Sequence, residues 1–293
     1  MAPRQRFEPG TLAAAIASRA ERALREGALV PIPTHAQVVE DDGIPFIVRV
    51  VAQLARKREA TAGQRAAGTN PFLPYEAALW VADLSDTHVC LLNKFNVVDR
   101  HVLLVTRAFE DQEEPLGPAD FAALWACLEE TGGLGFYNAG EVAGASQRHK
   151  HLQIVPLPLG PGAAFPFAAR LEGLTAKEGV VVPPGLPFPV ALASVEALDS
   201  RGPDDAAAAL VALYRGLLQR TGVVPGRVPY NLLATRRLLW LLPRTRPEWQ
   251  GIAVNALAFA GALLVPDEDA LARLRAVGPL AVLRAVTPGG EQV

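Results

Sequence analysis

The residue types most able to do chemistry are gathered in one stretch, Asn138-Ala139-Gly140-Glu141-Val142-Ala143-Gly144-Ala145-Ser146-Gln147-Arg148-His149-Lys150-His151-Leu152-Gln153. If Lys150 to Val155 forms a strand, its two-residue period puts His149, His151 and Gln153 on one face and Lys150, Leu152 and Ile154 on the other. The loop before it is built of small residues. Gly140 and Gly144 permit close backbone approach, Ser146 and Gln147 add hydrogen-bonding groups, and such a loop can cradle phosphate oxygens with backbone N–H groups. A neutral imidazole beside such a cradle suits in-line attack on an α-phosphorus, which leaves a covalent nucleotidyl-histidine for a second nucleophile to displace. His151 is the expected nucleophile, with His149 orienting the site. The amide of Gln153 would donate to a non-bridging oxygen as charge shifts.

A His-x-His pair taken by itself is more often structural, or a fragment of a metal site, than nucleophilic. The Gly/Ser/Gln loop before it and Gln153 after it favour the nucleophile. A metal site would need further ligands, yet no acid occurs between His151 and Glu172, and His35, His88 and His101 scatter upstream. His101 is expected as a structural hydrogen-bonding residue at a hairpin turn, and His88 at the end of a strand.

The elements that must hold this stretch follow from periodicity. Thr11 is placed to cap a helix through Leu12, Ile16, Ala20, Ala23 and Leu24, closed by Gly27. Phe46–Ala52, Ala77–Ala82 and His88–Asn93 read as strands. Phe95–Val98 and Val102–Thr106 read as an antiparallel pair about an Asp99-Arg100-His101 turn. Phe121, Leu124, Trp125 and Leu128 mark a helix from Pro118 to Thr131, stopped by Gly132-Gly133. Leu134–Tyr137 reads as a further strand. Pro156 to Pro189, dense in Pro and Gly, reads as irregular surface chain and as the boundary between two parts. Beyond it come a helix through Leu210, Leu213, Tyr214 and Leu217, a strand pair Tyr230–Thr235 and Leu238–Leu242, a core-filling stretch Asn255–Val265, and a helix capped by Asp267. Strands cluster without regular strand-helix alternation, so the expected class is α+β with a largely antiparallel sheet.

Composition excludes other classes. Among 293 residues, 28 Lys and Arg stand against 30 Asp and Glu, and half the residues are hydrophobic. The chain can bury a large core and advertises no broad cationic face, so disorder, nucleic acid and membrane surfaces are not expected. Two cysteines support neither a disulfide framework nor a Cys-built zinc site. The long uncharged stretches Ile154–Ala169 and Gly179–Val195 each contain four prolines and do not read as spanning helices. With no signal-peptide core at Met1–Glu8, a cytoplasmic protein is expected.

Several blocks occur in an order that resembles a known family: Asn70-Pro-Phe-Leu-Pro74, Leu92–Asn96, His101–Thr106, Phe109-Glu-Asp-Gln112, Asn138–Gln153, Tyr230-Asn231, Pro243-Arg244 and Asn255–Val265. Together they resemble the histidine triad superfamily, in its branch of diadenosine tetraphosphate phosphorylases, also called ATP adenylyltransferases. The resemblance implies a histidine-triad-like antiparallel sheet flanked by helices, with the His-x-His-x-Gln site in residues 1–160 and a nucleotide pocket completed by residues 161–293. It implies reversible phosphorolysis of diadenosine tetraphosphate to ATP and ADP through an adenylyl group on His151. The substrates would be diadenosine tetraphosphate, ATP, ADP and phosphate, with Mg²⁺ carried by the phosphates and no zinc. It further implies that Lys57 faces the phosphate chain, that Asn93 and Asn96 lie near the nucleotide, that Asn138, Gly140, Ser146 and Gln147 hold phosphates, and that Thr235 and Arg244 contribute from the C-terminal part. The chain departs from the family pattern at Arg58, Tyr75, Asp99 and Arg237–Leu242, positions that bear on the nucleoside pocket more than on the chemistry. The alternatives are a histidine-triad hydrolase, whose third polar position would be His where this chain has Gln153, and a dinucleotide-binding sensor without turnover.

Overall fold

The computed structural model describes residues 6–51, 70–173, 180–183 and 185–290. In chain order the elements are α1 (Leu12–Arg25), β1 (His35–Asp41), β2 (Ile44–Val50), β3 (Trp80–Asp83), β4 (His88–Leu92), β5 (Val102–Thr106), α2 (Pro118–Thr131), β6 (Leu134–Ala139) and β7 (His151–Val155). They continue with α3 (Ala168–Glu172), β8 (Val180–Val181), β9 (Ala191–Ser194), α4 (Pro203–Thr221), β10 (Tyr230–Ala234), β11 (Leu238–Pro243), β12 (Glu248–Trp249), β13 (Ile252–Ala253), β14 (Ala262–Val265), α5 (Glu268–Val277) and α6 (Pro279–Ala285).

Nine strands form one antiparallel sheet in the order β3-β4-β5-β7-β6-β10-β11-β9-β8. The class is therefore α+β. Strands from both sides of residue 160 lie in this sheet, joined where β6 pairs β10, with Asn138 opposite Asn231. A second sheet, β1-β2-β14, has one parallel pair, between β14 and β2. On one face of the large sheet α1, α2 and α4 cover a continuous core that includes Phe121, Trp125, Tyr214 and Leu152. On the other face there are two cores. One joins the second sheet, α5 and α6 to Phe136, Leu233 and Trp240; the other, around Phe72, Leu91 and Leu103, is small. The gap between those two cores is the site.

Several expectations need correction. Ala77–Leu79 is a 3₁₀ turn, and the strand begins only at Trp80. Phe95–Val98 is not a strand: β5 pairs with β4 and β7, and the connection is closed by Asn93 N–H donating to the His101 carbonyl at 2.9 Å. The Pro-rich stretch after Pro156 is not merely surface chain, because Phe165, Phe167 and Phe188 are buried, and Phe165 stacks on Trp240 with centroids 5.6 Å apart. Pro and Gly there stop regular structure, but the aromatic rings between them still leave water. His88, by contrast, begins β4 as expected, and it is buried, with Nε2 3.1 Å from Asp120 Oδ1. β1 and α6 were not legible in the pattern.

Thr11 stands at the start of α1 but makes no side-chain cap; its hydroxyl donates to the Glu8 carbonyl. The two ends of the Glu130 carboxylate take its place, accepting from Gly10 N–H at 2.6 Å and Leu12 N–H at 3.1 Å. A carboxylate at a helix N-terminus satisfies exposed donors and complements the dipole. Glu130→Ala should therefore lower the free energy of unfolding by about 1–2 kcal/mol, and Thr11→Ala by much less. Urea titration of both variants checks this, and equal effects would contradict it.

Candidate active site

The cavity encloses about 250 Å³ and is lined from four directions: Phe72 and Tyr75 from the segment before β3, Asn93 and His101 from the β4–β5 connection, Asn138, Ser146, His151 and Gln153 from the centre, and Asn255, Leu257 and Leu263 from the C-terminal part. His151 lies at its floor, at the start of β7, buried by Phe72, whose ring centroid is 5.4 Å away. Nδ1 of His151 is 2.8 Å from the carbonyl oxygen of His149. A carbonyl only accepts, so Nδ1 carries the proton and Nε2 keeps its lone pair. Burial pulls the imidazole down from 6.5 to about 4, more than the bond to the His149 carbonyl raises it. The ring is neutral at neutral pH, with a basic nitrogen held in one tautomer.

The His149 ring does not share the face that strand alternation gave it and does not line the cavity. Asn70 Nδ2 donates to its Nδ1 at 3.0 Å, and its Nε2–H donates to the Thr106 carbonyl at 2.7 Å. Phe72 and Phe109 pack against it. Desolvation holds this imidazole too below its ordinary value. His149 orients the neighbouring histidine through its main-chain carbonyl, while its side chain ties the Asn70-Pro71-Phe72 segment to the sheet.

Two hydrogen-bond relays aim amide groups at the cavity. In the first, Asn93 Nδ2 is 3.1 Å from His101 Nδ1, and His101 Nε2 is 3.0 Å from Gln153 Oε1. With Asn93 donating, His101 must carry its proton on Nε2 and donate to Gln153, which leaves the Gln153 NH₂ for the cavity. In the second, Arg244 Nη1 donates to Asn231 Oδ1 at 2.7 Å, and Asn231 Nδ2 donates to Asn138 Oδ1 at 2.8 Å. Ala256 N–H donates to the same Oδ1 at 2.9 Å. Asn138 thereby has its acceptor oxygen used within the protein and its NH₂ as the group for a ligand. Burial lowers Arg244 to about 9, still protonated at neutral pH.

The loop from Gly140 to Gln147, expected to cradle phosphate, is shaped by internal bonds. Ala143 and Ala145 N–H donate to the Gly140 carbonyl, and Gly144 N–H to that of Glu141. Those amides are spent on the turn, so the expected backbone cradle is narrower than the loop. Ser146 and Gln147 line the cavity, as does Gly144 at φ +98°, where a Cβ would meet Asn255 Cβ at 2.9 Å and the Val254 carbonyl at 3.0 Å. Gly140 is outside the lining and serves the turn, at φ +86°.

The structure thus brings together His151, Gln153, Asn138, Ser146, Gln147 and Asn93. It keeps others apart. Asn96 is buried beside the site, its Nδ2 donating to the Val98 carbonyl. Thr235 lies at the β10–β11 turn, its hydroxyl accepting from Arg237 and Leu238 N–H, at the end of the sheet away from His151. Arg244 is behind Asn138 and not on the cavity. Lys57 lies outside the described residues. Sequence reasoning gave no role to Arg49, which lines the cavity from β2, or to Asn231 and Gln112. The lone charge in an otherwise apolar strand was the available signal for Arg49. Among the described residues no group of three or more His, Cys, Asp or Glu is placed to hold a metal ion, and no helix is long and apolar enough to cross a membrane.

Residues 2–172 match the model of the Ap4A phosphorylase N-terminal domain, Ap4A being diadenosine tetraphosphate, and residues 184–288 match that of the ATP adenylyltransferase C-terminal domain. The chain belongs to the Ap4A phosphorylase family. Within the family it is similar to diadenosine 5′,5′′′-P1,P4-tetraphosphate phosphorylase 2 of Saccharomyces cerevisiae, 29% identical over 78% of each chain. It is also similar to Protein APA1 of the same yeast, 32% identical over 51% of this chain and 50% of that protein. The fold superposes on yeast Ap4A phosphorylase Apa2 in complex with Ap4A with a TM-score of 0.78, 24% identity, and coverage of 97% of this chain and 99% of that one. With Apa2 in complex with AMP the TM-score is 0.74 at 26% identity, covering 92% of each chain.

His151 favours its neutral form in the fold, so its contribution to stability is complete above the unfolded value near 6.5 and is lost as pH falls towards 4. That loss amounts to about 3 kcal/mol, and the slope of unfolding free energy against pH between those values should flatten by about one proton in His151→Asn. An unchanged slope would contradict the burial argument. Gly144→Ala should leave the protein folded while weakening nucleotide binding about tenfold or more, since both φ and the contact with Asn255 oppose a side chain; calorimetric titration with AMP checks it.

Proposed function

We propose that this chain cleaves diadenosine tetraphosphate with inorganic phosphate, giving ATP and ADP, in two reversible displacements at one phosphorus. Nε2 of His151 attacks the α-phosphorus of one adenylyl group, the bond to the bridging oxygen breaks, and ATP leaves. Phosphate then attacks the same phosphorus, the P–N bond breaks, and ADP leaves with His151 neutral again. The observation that carries this reading is the orientation of His151, a buried neutral imidazole whose Nδ1–H is held by the His149 carbonyl so that Nε2 faces a cavity furnished with amide donors.

Each neighbouring group has a task in such a step. Gln153 and Asn138 would donate to non-bridging oxygens as negative charge shifts towards them, and their preset orientation means no reorganisation at the moment of reaction. The carbonyl of His149 would gain strength as an acceptor when His151 becomes cationic on bonding to phosphorus. Ser146 and Gln147 would hold the phosphate chain, and Arg49 adds positive charge across the cavity. The apolar walls, Leu91, Leu103, Phe136 and Leu257, fit a nucleoside more readily than a charged group. Mg²⁺ would accompany the polyphosphate as part of the substrate, shielding its charge and bound chiefly by its oxygens. Residence in the cytoplasm belongs to the same reading and accords with Cys90 and Cys127 being buried free thiols.

The deciding experiment separates nucleotides after incubation with diadenosine tetraphosphate and Mg²⁺, with and without phosphate. ATP and ADP in equal amounts, formed only with phosphate and reduced roughly 10⁴-fold or more in His151→Ala, is the expected result. Products formed without phosphate would make the protein a hydrolase. Binding without products would make it a sensor.

A further inference from the structure

The centre of the large sheet is split where the reaction would occur. β6 and β7 pair at Leu134–Val155, Gly135–Ile154 and Phe136–Gln153, and the ladder stops there. In the same register the next partners would be Tyr137 with Leu152 and Asn138 with His151. Neither strand ends at that point: β6 continues along β10 as far as Ala139, and β7 continues along β5 to His151. The two strands separate from each other while keeping their outer neighbours.

The side chain of Gln112 fills the split. It is buried, at 1% exposure. Its Oε1 accepts from the His151 main-chain N–H at 2.8 Å, and its Nε2 donates to the Asn138 carbonyl at 2.9 Å and to the His151 carbonyl at 3.2 Å. A side-chain amide thus makes the kind of bonds that a strand neighbour would make to these two residues. The residue carrying it is fixed at both main-chain atoms. Gln112 N–H donates to the Arg148 carbonyl at 2.7 Å, and the Tyr137 hydroxyl donates to the Gln112 carbonyl. The segment is pinned further by Lys150 N–H donating to the Glu110 carbonyl at 2.8 Å and by the bridge between Asp111 and His149.

We infer that Gln112 is a positioning residue whose amide, wedged between β6 and β7, sets the distance between the nucleophile His151 and the ligand-binding amide of Asn138. The inference deepens the phosphorolysis reading and rests on it. Directly paired residues in an antiparallel ladder have Cα atoms only about 4.5–5.5 Å apart, which leaves little room for a phosphoryl group between a nucleophile on one strand and a donor on the other. Opening the ladder by the width of one amide provides that room. The three bonds keep the opening from exposing unpaired main-chain groups, which are costly when buried. No hydrophobic side chain of similar size meets both requirements. A carboxylate meets only one, because it can accept from His151 N–H but would face the carbonyls of Asn138 and His151 with no proton to donate.

Two substitutions in the full chain test this, Gln112→Met, which keeps length and loses all three bonds, and Gln112→Glu, which keeps the acceptor. Steady-state phosphorolysis of diadenosine tetraphosphate is measured beside circular dichroism of each protein, with wild type as reference. The expected result is a fall in kcat of about 100-fold in both variants, the effect of a sub-ångström to 1 Å displacement of a nucleophile. KM should stay within about threefold and the folded fraction unchanged, because uniform binding is not what the wedge supplies. A kcat within twofold of wild type, a loss residing wholly in KM, or a loss that only follows the unfolded fraction would each overturn the inference. An inactive wild type would instead sink the phosphorolysis reading, a result distinguishable from all of these.

Discussion

The bond from Nδ1 of His151 to the carbonyl of His149 decides what the site can do. An imidazole has two nitrogens and one proton when neutral, and only the unprotonated one is a nucleophile. Two residues apart in sequence, a side chain and a carbonyl are within reach without any long-range arrangement, so the tautomer is set locally. The burial that makes the bond strong also keeps the ring neutral. Much of the surrounding structure serves to keep this pair of atoms in place: Asn70 and Thr106 fix the His149 ring, and Phe72 closes over His151.

A common device recurs around this bond. Two of the amides that line the cavity, those of Gln153 and Asn138, are each held from behind by a second polar side chain. His101 stands behind Gln153, Asn231 and Arg244 stand behind Asn138, and in each case the acceptor oxygen is engaged so that the NH₂ faces the ligand. Such relays are affordable in a protein interior only when every member is satisfied. Their benefit is that donors need not reorient when charge moves on a phosphoryl group. A further polar set, buried Lys150 with half-exposed Glu110 and buried Asp120 with buried His88, ties the residue between the two histidines to β4 and α2. Burial pushes the Asp120 carboxyl up, yet its bond to His88 and the charge of Lys150 hold it below its usual value.

The cavity exists because two cores on one face of the large sheet do not merge. The small core around Phe72, Leu91 and Leu103 comes from the first half of the chain. The larger one is dominated by the C-terminal part, whose segment Asn255–Val265 folds back across the sheet to supply a wall. The chain must therefore pass through both halves before the pocket is complete, although its reactive residues lie within sixteen consecutive positions.

That contrast separates what was legible in the sequence from what was not. Strand and helix periodicity gave the central elements, because α2, α4, β4, β5, β7, β10 and β11 each carry their own apolar pattern. The His-x-His-x-Gln spacing put His151 and Gln153 on one face, because alternation along a strand is a local property. Residue types in the loop from Asn138 to Gln147 marked a turn for the same reason. The sequence could not place the His149 ring outside the cavity, Thr235 at a distant turn, or Arg244 behind Asn138, since each depends on which strands become neighbours. Nor could it assign Gln112, whose amide matters only where two strands part. Local geometry is written in consecutive residues, whereas hydrogen-bond partners between distant segments are chosen by packing and by the need to satisfy every buried polar group. The sequence by itself determined that His151 and Gln153 share a face, and only the tertiary structure decided which atoms hold them there.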